Sequence, residues 1–117
     1  MRVLDVEDVT QRIVDELSEQ QAEDVTVIDV SKVAAFADRF VIATVGSVRQ
    51  MNAMIDAFDE KLKPEGIVIR RREGEPDSGW VLLDMNDVVV HLFGPEERDF
   101  YNLESLWGKT APVVRFQ

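Results

Sequence analysis

The sequence predicts an α/β (α+β) protein in which helices pack on one mixed sheet of about five strands. Three observations carry this reading. Apolar residues recur at helical spacing in stretches opening at Asp5, Ser47 and Gly94. Short β-branched runs lie between them. The segment Gly79–Phe93 has the pattern of a β-hairpin, with two aliphatic runs flanking Asn86-Asp87, a pair that tolerates a left-handed turn. The resulting order, α-β-β-α-β-β-β-α, favours a helix-backed sheet. At 117 residues the chain is expected to form one domain, 1–117, and to bury about two thirds of its unfolded surface.

Composition narrows the class. Apolar residues make up 45%, which fits a packed core rather than disorder. The absence of Cys removes disulfides and thiolate metal sites, and a single His removes paired-His metal motifs. Apolar runs fall far short of the ~20 residues that span a bilayer, and the acidic N-terminus lacks a signal-peptide core. A soluble, cytoplasmic protein is expected. Its net charge of −10 is shared by both halves of the chain. Such a surface repels phosphate backbones, so a basic protein is a better partner than naked nucleic acid.

The first helix runs from Asp5, placed to cap it, to about Glu19, with Val6, Val9, Ile13 and Leu17 on one stripe. Gln20–Asp24 is a polar connector and Val25–Val30 a strand. Ser31–Asp38 reads as a crossing loop or helical turn. Phe40–Val45 is apolar on both parities, as in an interior strand covered on both faces. Gly46 ends it, and Ser47 with Gln50 forms a capping box for a helix with Val48, Met51, Ile55, Phe58 and Leu62 on one stripe. That helix stops near Lys63, before Pro64-Glu65-Gly66.

Ile67–Arg72 is a candidate strand and Glu73–Gly79 the loop into the hairpin. A two-residue turn pairs Met85 with Val88, Asp84 with Val89, Leu83 with Val90, Leu82 with His91, Val81 with Leu92 and Trp80 with Phe93. One face then carries Val81, Leu83, Met85, Val88, Val90 and Leu92, a core set. The other carries Trp80, Leu82, Asp84, Val89, His91 and Phe93, a mixture common at recognition surfaces. After it, Gly94-Pro95-Glu96-Glu97 opens a last helix, with Phe100, Leu103 and Trp107 as its buried stripe and Gly108 as its end. Lys109–Gln117 has weak strand character.

No enzyme emerges from the candidate sites. Gly46-Ser47 before a helix could cradle a phosphate, but a simple cap accounts for it and the usual extra glycines or Lys are missing. Nucleotidyl transfer needs carboxylates converging on Mg²⁺. Asp29, Asp38, Asp84 and Asp87 are the well-placed acids, and no Asp-x-Asp pair lies on a strand. His91 shares a face with Asp84, yet a hydrogen-bonded strand histidine is the plainer reading. For Arg70-Arg71-Arg72, cross-strand pairing with the surrounding acids is the plainer reading and a phosphate contact the alternative. No cofactor or metal is expected.

Taken together, these stretches resemble the Iojap family, the ribosomal silencing factors. The resemblance rests on Asp24–Ser31, on Asp38-Arg39-Phe40-Val41-Ile42-Ala43-Thr44 continuing to Ser47-x-Arg49-Gln50, and on Glu73-Gly74. Its most specific parts are Trp80-Val81-Leu82-Leu83-Asp84-x-x-Asp87-Val88-Val89-Val90-His91-x-Phe93 and Pro95-Glu96-Glu97-Arg98-x-Phe100-Tyr101-Asn102-Leu103-Glu104-x-Leu106-Trp107. The chain departs from the pattern at Val48, where a small polar residue is usual, and at Gly94, where a Thr cap is usual.

The resemblance implies a fold similar to nucleotidyltransferases without their catalytic carboxylates. It implies binding to a large-subunit ribosomal protein of the uL14 type, on the intersubunit face. There the protein would block the small subunit and lower translation when nutrients are scarce. A homodimer is implied for the free protein. The contact residues expected on this reading are Trp80, Leu82, Asp84, His91 and Phe93 of the hairpin with Glu96, Glu97 and Tyr101 beyond it. Six sheet positions cover only about 200 Å², against roughly 800 Å² on each side of a standard interface, so both segments are needed. The other class of reading is a Mg²⁺-dependent nucleotidyltransferase-like enzyme.

Overall fold

The structure is a computed structural model, and it describes residues 4–107 and 111–116. Helix α1 spans Val6–Glu19, where the Asp5 carboxylate accepts the Asp8 N–H at 2.8 Å and satisfies one orphan donor of the first turn. Its buried side chains are Thr10, Ile13, Val14, Glu16 and Leu17; Val6 and Val9, expected in the stripe, are only half-buried at its edge. Strand β1 (Glu23–Asp29) turns back through 30–38 into β2 (Arg39–Thr44). Helix α2 (Val48–Ala57) starts at Ser47, whose hydroxyl accepts the Gln50 N–H at 3.1 Å. Only half of the expected capping box forms. The Gln50 amide instead reaches the carbonyls of Gln20 and Gln21 at the end of α1, each at 3.3 Å. Val48 is exposed, while Met51, Met54, Ile55 and then Phe58 and Leu62 are buried as the helix widens into a π turn.

Strand β3 covers only Arg71–Glu73, shorter than the expected Ile67–Arg72. Gly66, at φ +86°, sends the chain back under the helix, and Ile67 bonds to the Leu62 carbonyl rather than to a strand. The hairpin β4 (Trp80–Asp84) and β5 (Val88–Phe93) has the anticipated register, from Trp80 opposite Phe93 to Asp84 opposite Val89. Its turn closes with the Met85 N–H on the Val88 carbonyl at 2.9 Å, and Asn86 takes φ +80°.

The last helix is not continuous. It divides into α3 (Pro95–Tyr101) and α4 (Leu103–Trp107) at Asn102, which adopts φ +45°. The helix end expected at Gly108 lies outside the described residues. The weakly strand-like tail forms β6 (Val113–Arg115), paired with β1. Among the described residues the sheet therefore has six strands, one more than expected, in the order β3-β4-β5-β2-β1-β6. Of these pairings among the described residues, β2–β5 is parallel and the other four are antiparallel.

Candidate functional site

Side-chain alternation gives the sheet two unlike faces. Toward α1 and α2 point Val81, Leu83, Met85, Val88, Val90 and Leu92, between 0 and 5% exposed, with Val25, Val27, Val41, Ala43 and Val45 from the neighbouring strands. This is the aliphatic core that the hairpin pattern anticipates. The opposite face gathers Trp80, Leu82, Val89, Phe93, Phe40, Ile42 and Ile28 beneath α4 and the 30–38 loop. Its rings form a connected series. Tyr101 lies 4.4 Å from Trp80, Trp80 stacks on Phe93 at 5.1 Å, and Phe40 meets His91 at 4.9 Å and Trp107 at 5.1 Å edge-on.

The expected contact residues divide by depth. Phe93 is 0% exposed and His91 4%, so neither reaches the surface; they form the floor on which Trp80 rests. The cause is coverage: short helices and a loop close over a face that the hairpin alone would leave open. His91 accepts the Trp80 indole N–H on Nδ1 at 3.3 Å, and its Nε2 finds no partner among the described residues. Burial lowers its pKa to about 4, which keeps the ring neutral. Asp84 is half-buried, and its carboxylate accepts the Asn86 N–H at 3.0 Å, so it secures the hairpin turn.

Trp80 and Leu82 are half-buried and Tyr101 exposed, and with Glu73, Gly74 and Ser78 they line a cavity of about 310 Å³. Glu96 is exposed on the first turn of α3. Glu97 folds its side chain over two glycines: a Cβ on Gly79 or Gly94 would come within 2.6 Å of its atoms. The Gly94 N–H meets the Gly79 carbonyl at 2.9 Å, closing the base of the hairpin. Phe100, expected in the buried stripe, is 81% exposed. The break at Asn102 turns Leu103 and Trp107 onto the sheet and leaves Phe100 on the outer side, edge-on to Tyr101 at 5.1 Å. Leu106 is 69% exposed, and Phe36, beside Phe40 and Trp107, is 64% exposed.

One buried cation, part of the Pro95–Trp107 pattern, received no structural role from the sequence. Arg98, 7% exposed, donates to Thr44 Oγ1 at 3.0 Å, Thr26 Oγ1 at 3.2 Å and Glu104 at 2.7 Å. In the sequence it shows as a cation in an aromatic-rich segment and as a member of the Pro95–Trp107 pattern, neither of which reveals its burial. Burial pushes the Glu104 carboxyl upward, but the hydrogen bonds and charge of Arg98 outweigh this and hold it below its ordinary value. The three consecutive arginines sit at the exposed edge: Arg70 on Asn86 at 2.8 Å, Arg71 on Glu73 at 2.6 Å and Arg72 on Glu75 at 3.2 Å. Asp29 bonds Ser31 at 2.6 Å and pairs with Arg39 at 3.2 Å. Among the described residues no three His, Asp or Glu side chains form a metal-ligating group, and no helix is long and apolar enough to cross a membrane.

The family model described as "Ribosomal silencing factor during starvation" matches residues 3–117. The chain belongs to the ribosomal silencing factor family. A family member from Halalkalibacterium halodurans is 36% identical over 111 residues, covering 95% of this chain and 94% of its own. A crystal structure of a Chromobacterium violaceum protein superposes with a TM-score of 0.83 at 34% identity, covering 90% of this chain and 88% of that one. A mouse protein named "Mitochondrial assembly of ribosomal large subunit protein 1" is 33% identical over 94 residues, 78% of this chain and 41% of its own length. The silencing-factor resemblance read from the hairpin and the Pro95–Trp107 pattern therefore holds, as does the mixed α+β architecture.

Proposed function

We propose that this silencing factor acts in the cytoplasm as one domain that binds the large ribosomal subunit and prevents the small subunit from joining. The observation that carries the reading is the ring-built face ending in exposed Tyr101, which lines the Trp80–Leu82 cavity, and in exposed Phe100, edge-on to Tyr101. Exposed aromatics over a packed floor are the anchors from which protein interfaces draw most of their affinity. Acids flank them, with Glu73, Glu75 and Asp77 before β4 and Glu96, Glu97 and Asp99 on α3. That charge suits a basic ribosomal protein, of the uL14 type, and repels rRNA. The mouse relative's name connects this kind of chain with a large subunit. Relatives are named for silencing, a regulatory role, and we infer that this chain likewise works by occupancy rather than by catalysis. When free, it is expected to pair with a second copy.

Light scattering of purified small and large subunits tests the reading. Added protein should slow their association, and a Phe100→Ala/Tyr101→Ala variant should not. Unimpeded joining at saturating wild-type protein, or full inhibition by that variant, would refute it. Protein-free rRNA added as competitor should leave the inhibition intact.

A further inference from the structure

The segment that carries Phe100 and Tyr101 has little to hold it. Helix α3 has seven residues and α4 five, far below the roughly 12–15 at which helices stand alone in water. Leu103 and Trp107 are half-buried, and the only fully buried side chain of the two helices is Arg98. A buried cation is a poor source of stability, because the cost of desolvation offsets the gain from pairing. Its geometry is more informative. Arg98 Nε and Nη2 grip Glu104 of α4 at 3.1 and 2.7 Å, Nη1 reaches Thr44 of β2 at 3.0 Å, and Nη2 reaches Thr26 of β1 at 3.2 Å. One planar fork thus ties α3 to α4 and to two neighbouring strands. Backbone closure points the same way, since the N–H of left-handed Asn102 bonds to the Arg98 carbonyl at 3.1 Å.

We propose that Arg98 is the positioning residue of the docking face. By fixing the rotation of α3 against the sheet it holds Tyr101 against Trp80 and keeps Phe100 pointing outward. The inference rests on the reading of that face given above. A lysine cannot replace the fork, because a single ammonium cannot reach three acceptors arranged in one plane.

Three variants decide it: Arg98→Met, Arg98→Lys and Tyr101→Ala, each at a temperature where far-ultraviolet circular dichroism shows it folded. Affinity for purified large ribosomal subunits and site-resolved amide exchange are measured on each. Arg98→Met should lose roughly tenfold or more in affinity, the scale of an interface hot spot. Its exchange protection should fall in 95–107 while 39–44 and 88–93 keep theirs, and Arg98→Lys should restore neither. Protection lost equally across the strands would make Arg98 a general structural residue and overturn the proposal. Weak binding by Tyr101→Ala with unchanged binding by Arg98→Met would overturn the positioning role alone. Unchanged binding by both would overturn the docking face and this role with it.

Discussion

The two faces of the sheet are built from the same strands and differ in almost everything else. One is aliphatic and lies under α1 and α2, of 14 and 10 residues, the second prolonged by a π turn. The other is lined with rings and lies under α3, α4 and a loop, where polar ties do work that apolar stripes do elsewhere. The long helices bury Ile13, Leu17, Met54 and Phe58 completely or nearly so, whereas α3 buries only Arg98. Apolar area removed from water is the dominant stabilising term, so the first face is the foundation and the second is the adaptable surface. Aromatic residues suit the second role because they bury area in the floor and still offer edges and faces to a partner.

The largest effect is expected where the foundation is broken. Leu83→Asp places an unpaired charge at a fully buried aliphatic site, a cost of about 5 kcal/mol or more against a total stability of about 5–15. Circular dichroism should show no cooperative melt; a native spectrum would mean that the two faces had been assigned in reverse.

Acid should act next, through the ring-lined face. An unfolded chain protonates His91 near pH 6.5, whereas the folded one resists until about pH 4. Stability should therefore be complete above pH 6.5, fall by up to about 3 kcal/mol between pH 6.5 and 4, and gain no further His91 contribution below that. Denaturation across this range should show the slope in the wild type and lose it in His91→Phe. An equal slope in both would place the acid sensitivity in the carboxylates.

Smaller still is Trp80→Ala, which removes a half-buried ring and the indole N–H that His91 accepts. A loss of about 2 kcal/mol with cooperative melting is expected. Phe100→Ala should change stability by less than about 0.5 kcal/mol, because that side chain is exposed. A larger loss for Phe100→Ala than for Trp80→Ala would erase the distinction between floor and surface.

Much of this division is written locally in the chain. The hairpin register follows from Asn86-Asp87 and a period of two, and the aliphatic face follows from it directly. Phe40–Val45 was legible as interior because both of its parities are apolar. What could not be read was coverage. Whether His91 and Phe93 face solvent depends on α3 and α4 folding back, and that depends on Asn102 entering the left-handed region and on Arg98 finding Thr26 and Thr44. Those partners lie 72 and 54 residues away in sequence, beyond any local pattern. The same break explains why Phe100 and Trp107, seven positions apart and so expected on one stripe, end on opposite sides.

We propose that the ring-lined side, and not the side covered by α1 and α2, meets the ribosome. Equilibrium binding to purified large subunits should be compared for two double variants. Phe100→Ala/Tyr101→Ala alters the first side, and Asn52→Ala/Asp56→Ala alters exposed positions of α2 on the second. The first pair should weaken binding by roughly thirtyfold or more, as expected for loss of a central aromatic anchor, and the second should leave it within about twofold. Wild-type affinity in the folded Phe100→Ala/Tyr101→Ala protein, with binding lost in Asn52→Ala/Asp56→Ala, would contradict the account.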